Sequence, residues 1–214
     1  MNKNLTEFIG TFFLVFTIGL TGVYGTPLAP IAIGSILMVM VYMGGAISGA
    51  HYNPAVTLAV LMRKKINLNG AVQYWISQVT GAFLAALVIY LTYTKPMSAP
   101  VPNPGFHYGL KPLMLEMLFT FALASVVLNV ATSKKTAGNS YFGLAIGFTV
   151  MASAFAAGSI SGAAFNPAVA IGPMLMDAFT GGSSIGNLWI YLVGPFAGAA
   201  LAALVFPVMN PDEK

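Results

Sequence analysis

Two nine-residue stretches carry most of the chemistry in this chain: SGAHYNPAV at 48–56 and SGAAFNPAV at 161–169. They agree at seven of nine positions, and each centres on Asn-Pro-Ala: Asn53-Pro54-Ala55 and Asn166-Pro167-Ala168. Asn caps a helix by accepting from its free amides, and Pro suits the first helical position. Each motif therefore starts a helix. A single copy would be an ordinary cap. Two matched copies supply two helix N-termini with partial positive ends and two carboxamides able to donate. Such groups bind and screen; they do not catalyse. No pair of polar groups is spaced for acid–base or nucleophilic work, so no enzyme is expected. Cysteine is absent, which removes disulfides, thiolate metal sites and a thiol nucleophile. The twelve methionines are scattered and read as core or lipid-facing filler, so neither metal nor cofactor is expected.

The elements that must position these motifs follow from composition. Of 214 residues, 57% are hydrophobic and 7% charged. Soluble domains carry about 25% charged residues, so this chain cannot solvate a globular surface. It is read as an integral, multi-pass membrane protein, with the lipid bilayer as its surroundings. A bilayer-crossing helix takes about 17–25 residues, and six such runs stand near 5–25, 29–47, 70–93, 112–132, 141–158 and 185–209. The run at 141–158 is short and has room to extend by a turn. The start, MNKNLTEFIGTFFLVF, has no small-residue cleavage site and holds Glu7 inside the span, so no cleaved signal peptide is expected.

The net charge of +4 reports topology rather than nucleic-acid binding. If six spans alternate, Lys3, Arg63-Lys64-Lys65, Lys134-Lys135 and Lys214 share one side, and only Lys95 and Lys111 lie on the other. By the positive-inside rule both termini are cytoplasmic, in a cell membrane.

The repeat extends well beyond nine letters. Ala32-Ile33-Gly34 recurs as Ala145-Ile146-Gly147 at the spacing that separates Asn53 from Asn166. Glu7 in EFIGTF matches Glu116 in EMLFTF, and GAFLAALV at 81–88 matches GAALAALV at 198–205. Repeat 1 covers about 1–105 and repeat 2 about 106–214, within one domain over 1–214. Each holds three spans, an odd number, so the second enters the membrane from the opposite side. That is an inverted repeat with its site near the midplane. The segments 53–62 and 166–176 are apolar but too short to span. About ten helical residues rise about 15 Å, half of a core roughly 30 Å thick. One inserted from each side would meet its partner at the centre, with Gly49-Ala50 and Gly162-Ala163-Ala164 suiting an extended re-entrant approach. Such backbone is tolerated at that depth only when buried in protein or lining a water-filled path. The small-residue patches Gly81-Ala82 and Gly198-Ala199-Ala200 suit close helix contact.

With its paired HYNPAVT and FNPAV boxes and its two matched glutamates, the chain resembles the aquaporin and glycerol-facilitator (major intrinsic protein) family over essentially its whole length. The resemblance implies an all-α membrane fold with six transmembrane helices, two re-entrant half-helices and one pore per protomer, assembled as a homotetramer. Asn53 and Asn166 would each offer an amide donor to the pore, interrupting a proton wire where the two positive helix ends converge. Carbonyls of Gly49, Ala50, His51, Gly162 and Ala163 would form an acceptor ladder. Intramembrane acids by default suggest a proton relay; the resemblance instead makes Glu7 and Glu116 braces for the re-entrant loops. His51 either lines the cytoplasmic vestibule or is packed and hydrogen-bonded. His107, in the 94–111 loop, has no assigned role, and Asp177 would end the second half-helix near the outer surface.

The chain departs from the family at Val169, where typical members carry a filter arginine. Arg63 is the only arginine, and it lies in the cytoplasmic cluster. Counted from the motifs, the other filter positions fall at Ile33, Ala154 and Ala163. The expected ring is apolar, mostly small and uncharged. Marks that separate the subfamilies are mixed: Ala170 replaces the aspartate of glycerol facilitators, Met174 fits neither pattern, and Tyr191-Leu192 fits half. The expected function is a passive channel for water and small uncharged solutes such as glycerol, urea or ammonia. The rivals are a secondary transporter, which also uses inverted repeats, and a poorly conducting structural membrane protein.

Overall fold

The computed structural model describes residues 2–103 and 110–213, and every regular element among them is helical. Eight α-helices follow in order: α1 (Asn2–Tyr24), α2 (Ala29–Ser48), α3 (Pro54–Met62), α4 (Leu68–Tyr93), α5 (Leu110–Val127), α6 (Phe142–Ser161), α7 (Pro167–Phe179) and α8 (Leu188–Met209). Six of them are long and apolar enough to cross a membrane. The span expected to end at 158 runs three residues further, to Ser161. His107 lies outside the described residues.

Helices that are apolar all round are buried or face lipid, and here the two faces are distinct. Small residues such as Ala82, Ala85 and Ala86 point inward, while Leu91, Leu204 and Val208 are exposed at 69%, 63% and 78%. The small inward residues let backbones touch. A Cβ on Gly81 would strike the Phe8 carbonyl of α1, and one on Gly198 would strike the Met117 carbonyl of α5. The same contact therefore joins α1 to α4 and α5 to α8, once in each repeat. Gly34 and Gly147 meet each other: a Cβ on either would collide with the carbonyl of the other, seating α2 against α6.

The short helices cross between the halves. Helix α3 packs on α8, and α7 packs on α4, where Gly172 lies against the Ala82 backbone. The two are unequal. Nine residues give α3 about 14 Å, and thirteen give α7 about 20 Å. Helix α7 thus outruns the expected end at 176, continuing through Asp177 to Phe179. Asp177 sits in its last turn and accepts from the Ser184 amide (3.0 Å) and hydroxyl (2.6 Å), fastening the following loop. Helix α5 ends in a π-helical turn, Leu128–Thr132. Nothing in the hydropathy pattern announces it.

Candidate pore and its lining

Both Asn-Pro-Ala motifs form the caps expected of them. Asn53 is extended (φ −156°), and its Oδ1 accepts from Ala55 N at 2.8 Å and Val56 N at 3.4 Å. Asn166 repeats this (φ −157°), accepting from Ala168 N at 2.9 Å. Pro54 and Pro167 hold the first helical positions. The amide nitrogens do something the sequence does not show. Asn53 Nδ2 donates to the Phe165 carbonyl at 2.9 Å, and Asn166 Nδ2 donates to the Tyr52 carbonyl at 2.8 Å. Each asparagine ties its own half-helix to the loop of the other repeat. A carboxamide has two N–H groups, so one per asparagine is left without a protein acceptor among the described residues.

The loops ahead of the caps are strained in matching ways. Gly49 and Gly162 have φ of 88° and 83°, Ala50 and Ala163 of 52° and 50°, Tyr52 and Phe165 of 50° and 49°. Left-handed backbone costs a non-glycine residue roughly 1–2 kcal/mol, so something must hold it there. Two buried carboxylates do. Glu7 accepts from Ser48 Oγ (2.7 Å), His51 N (3.0 Å), Tyr52 N (2.7 Å) and Gln78 Nε2 (2.8 Å). Glu116 accepts from Ser161 Oγ (2.7 Å), Ala164 N (3.1 Å) and Phe165 N (2.6 Å). Ser48 and Ser161 also accept from Ala50 N and Ala163 N. Every amide from 50 to 52 and from 163 to 165 is thereby satisfied within the protein. Glu116 lacks the fourth donor because Pro195 stands at the repeat position of Gln78.

The carbonyls tell the complementary story. Those of Ser48 and Ser161 accept from the Tyr74 and Tyr191 hydroxyls, and those of Tyr52 and Phe165 from the asparagines. Among the described residues, no protein donor reaches the carbonyls of Gly49, Ala50, His51, Gly162 or Ala163. A polar group at that depth needs a partner. The expected acceptor ladder is thus left open on both sides of the asparagines.

His51 is packed and hydrogen-bonded, and it also borders two cavities. It is 8% exposed, lines the central cavity and a second chamber beside it, and places Nδ1 3.0 Å from Thr57 Oγ1. The Thr57 hydroxyl donates its single proton to the Asn53 carbonyl at 3.1 Å and accepts from Gln78 Nε2 at 3.0 Å. With that proton committed, Nδ1 is the donor to Thr57. Gln78 links brace and histidine, and it is visible only once α4 is packed against α1.

Three sets of cavities run through the protein. The central one, about 30 Å³, is lined by both asparagines, both re-entrant loops and apolar side chains such as Leu37 and Leu123. One water needs at least about 10–15 Å³, so the space has room for only a few waters. An outer chamber of about 320 Å³ is lined by Ile33, Ala154, Ala163 and Val169 together. Three of these, Ile33, Ala163 and Val169, also line the central cavity, so the group stands where the two meet. Among the described residues, no charged side chain lines the outer chamber. The loop residues Met97 to Val101 roof it, with the Asn103 amide donating to the Ile160 carbonyl at 3.0 Å. Inward, His51 and Val127 are shared with a chamber of about 200 Å³, and Ile146 with one of about 630 Å³. Among the described residues, no group of three His, Asp or Glu side chains could hold a metal.

Comparison with known proteins agrees with this geometry. The family model of the Major intrinsic protein family matches residues 1–206. Aquaporin NIP1-4 of Oryza sativa is 38% identical over 96% of this chain and 76% of its own length. Glycerol uptake facilitator protein-like 6 of Lactiplantibacillus plantarum is 37% identical over the whole of both chains. The X-ray structure of the aquaglyceroporin from Plasmodium falciparum superposes with a TM-score of 0.86 at 21% identity, covering 99% of this chain and 98% of that one. With its inverted repeat, its paired caps and a family match along nearly its full length, the chain belongs to the major intrinsic protein family.

Proposed function

We propose that this protein is a passive channel for water and small uncharged solutes, conducting through the chain of cavities centred on Asn53 and Asn166. The observation that carries this reading is the accounting of the re-entrant backbone. Its amides are consumed by Glu7, Glu116, Ser48 and Ser161, while the carbonyls of Gly49, Ala50, His51, Gly162 and Ala163 have no protein donor among the described residues. A hydroxyl or amine solute that sheds water on entry finds acceptors in sequence, and meets donors only at the two asparagines. Glu7 and Glu116 act as braces, since each already accepts three or more hydrogen bonds. A cation meets two helix N-termini that point their positive ends at the centre.

Ile33, Ala154, Ala163 and Val169 set the outer width. Without an arginine the ring has no donor to compensate a dehydrated solute, and without large side chains it lets a solute keep part of its water. The reading is therefore a broad neutral-solute channel, including glycerol, for which one relative is named. The whole chain acts as one channel domain, with both termini cytoplasmic and four protomers per assembly. Stopped-flow shrinkage and reswelling of proteoliposomes tests the class. Glycerol and urea entry should rise linearly with the gradient; saturation would indicate a carrier, and entry no faster than in empty liposomes would indicate a closed structural protein.

A further inference from the structure

The five carboxylates are unevenly used. Glu7 and Glu116 are buried under donors, and Asp177 holds the Ser184 loop. Glu213 and Asp212 pair with Arg63 and Lys135 at 3.7 Å and 3.4 Å. That leaves Lys3, Lys64, Lys65, Lys95 and Lys134 in no ion pair among the described residues, and of these Lys3 and Lys65 line the cytoplasmic chamber shared with His51. Among the described residues, no acidic side chain lines that chamber. Among them too, no charged side chain lines the outer chamber, where the family's filter arginine would stand.

We propose that Lys3 and Lys65 form the side-chain charge barrier of this channel, moved from the outer ring to the cytoplasmic mouth. The proposal rests on the channel reading above. Two ammonium groups at the wall of one narrow chamber raise its potential, lower the local concentration of cations, and leave neutral solutes unaffected. Topology alone would put lysines anywhere on the cytoplasmic face. It does not require two of them in the one chamber that continues past His51 into the central cavity. Lys64 is also exposed on that face but does not line this chamber, so it serves as the internal control.

The test is potassium flux against water flux in vesicles of a zwitterionic lipid, which carry no surface charge of their own. Lys3→Glu with Lys65→Glu is compared with wild type, with Lys3→Gln plus Lys65→Gln, and with Lys64→Glu. At about 0.01 M salt, where screening reaches about 30 Å, charge reversal should raise the potassium-to-water ratio by about fivefold or more. The glutamine pair should lie between, and Lys64→Glu should match wild type. At about 1 M salt, where the screening length is about 3 Å, the difference should collapse. An unchanged ratio at low salt, with water flux intact, overturns the proposal. So does an equal rise in Lys64→Glu. Loss of measurable water flux in the wild type would instead strike the channel reading itself.

Discussion

Asn53 of the first half donates to the carbonyl of Phe165 in the second at 2.9 Å, and Asn166 returns the bond to Tyr52 at 2.8 Å. The motif that repeats within the chain is thus also what joins the repeats. Each asparagine caps its own helix, clasps the opposite loop and keeps one N–H free of protein acceptors among the described residues. The centre is fixed by side chains that can do all three at once, and aspartate or serine could not.

Replacing Asn166 by Asp keeps the capping acceptor but sets a carboxylate against the Tyr52 carbonyl. Loss of that buried bond should cost roughly 1–3 kcal/mol, and the new charge should offset the positive helix ends and admit cations. Thermal unfolding in detergent and potassium flux in vesicles measure the two effects. Full stability with unchanged flux would contradict the cross-clasp.

The braces should be unequal. Each oxygen of Glu7 accepts two hydrogen bonds, whereas Glu116 Oε2 accepts only from Phe165 N. A glutamine at position 7 must turn its NH2 toward two donors, and at position 116 toward one. With roughly 1.5–3 kcal/mol per bond to a charged group, Glu7→Gln should destabilise about twice as much as Glu116→Gln. Equal unfolding midpoints would refute the bond accounting.

Glu213 makes stability pH-dependent at the turn that follows α5. The Ser133 hydroxyl, then the Lys134 and Lys135 amides and the Arg63 guanidinium, hold its carboxyl below the ordinary value of 4.5. A lowered folded pKa gives stability that is complete above that value and lost as pH falls through the lower folded one. Glu213→Gln should therefore flatten the acid side of the stability profile, and amide exchange of Lys134 and Lys135 should rise in the variant at neutral pH. Protection identical to wild type would contradict the clasp.

Val169→Arg would set a guanidinium in a ring that offers it no acceptor side chain. Burying a charge in that apolar setting is costly, and the open carbonyls of Gly162 and Ala163 offset the cost only in part, so a lowered unfolding midpoint is expected. If the variant still inserts, proton leak, read by an internal pH dye, should drop below that of wild type. A wild-type leak equal to that of empty liposomes would show that the central helix ends suffice and that Val169 governs neutral solutes alone.

Much of the site could be read from local signals. Asn and Pro at a helix start and small residues suited to a close helix contact carry their meaning within a few residues, whereas Glu7 and Glu116 locally suggest a relay and read as braces only through the family resemblance. Gln78, the Tyr74 and Tyr191 hydroxyls and the asparagine clasps could not, because their partners lie on other helices and only packing brings them together. The extra turn of α7 past 176 follows Asp177 and its Ser184 loop, a contact across seven residues that hydropathy ignores. Glu213 reads as part of a solvated tail, yet it caps the turn after α5 and reaches Arg63. The π-helical turn at Leu128–Thr132 is pinned from outside, by Thr136 on the Asn129 carbonyl and Asn139 on that of Val130.

The central claim is that neutral solutes pass one ring whose width is set by Ile33, Ala154, Ala163 and Val169. The direct measurement is the glycerol-to-water permeability ratio of Ile33→Phe with Ala154→His against wild type, in proteoliposomes of matched protein content. Larger side chains there should lower the ratio about tenfold, ~1.4 kcal/mol on the glycerol barrier, while water flux falls far less. Equal loss of both solutes, or a ratio that does not move, would mean that the solute path is not bounded by these four residues.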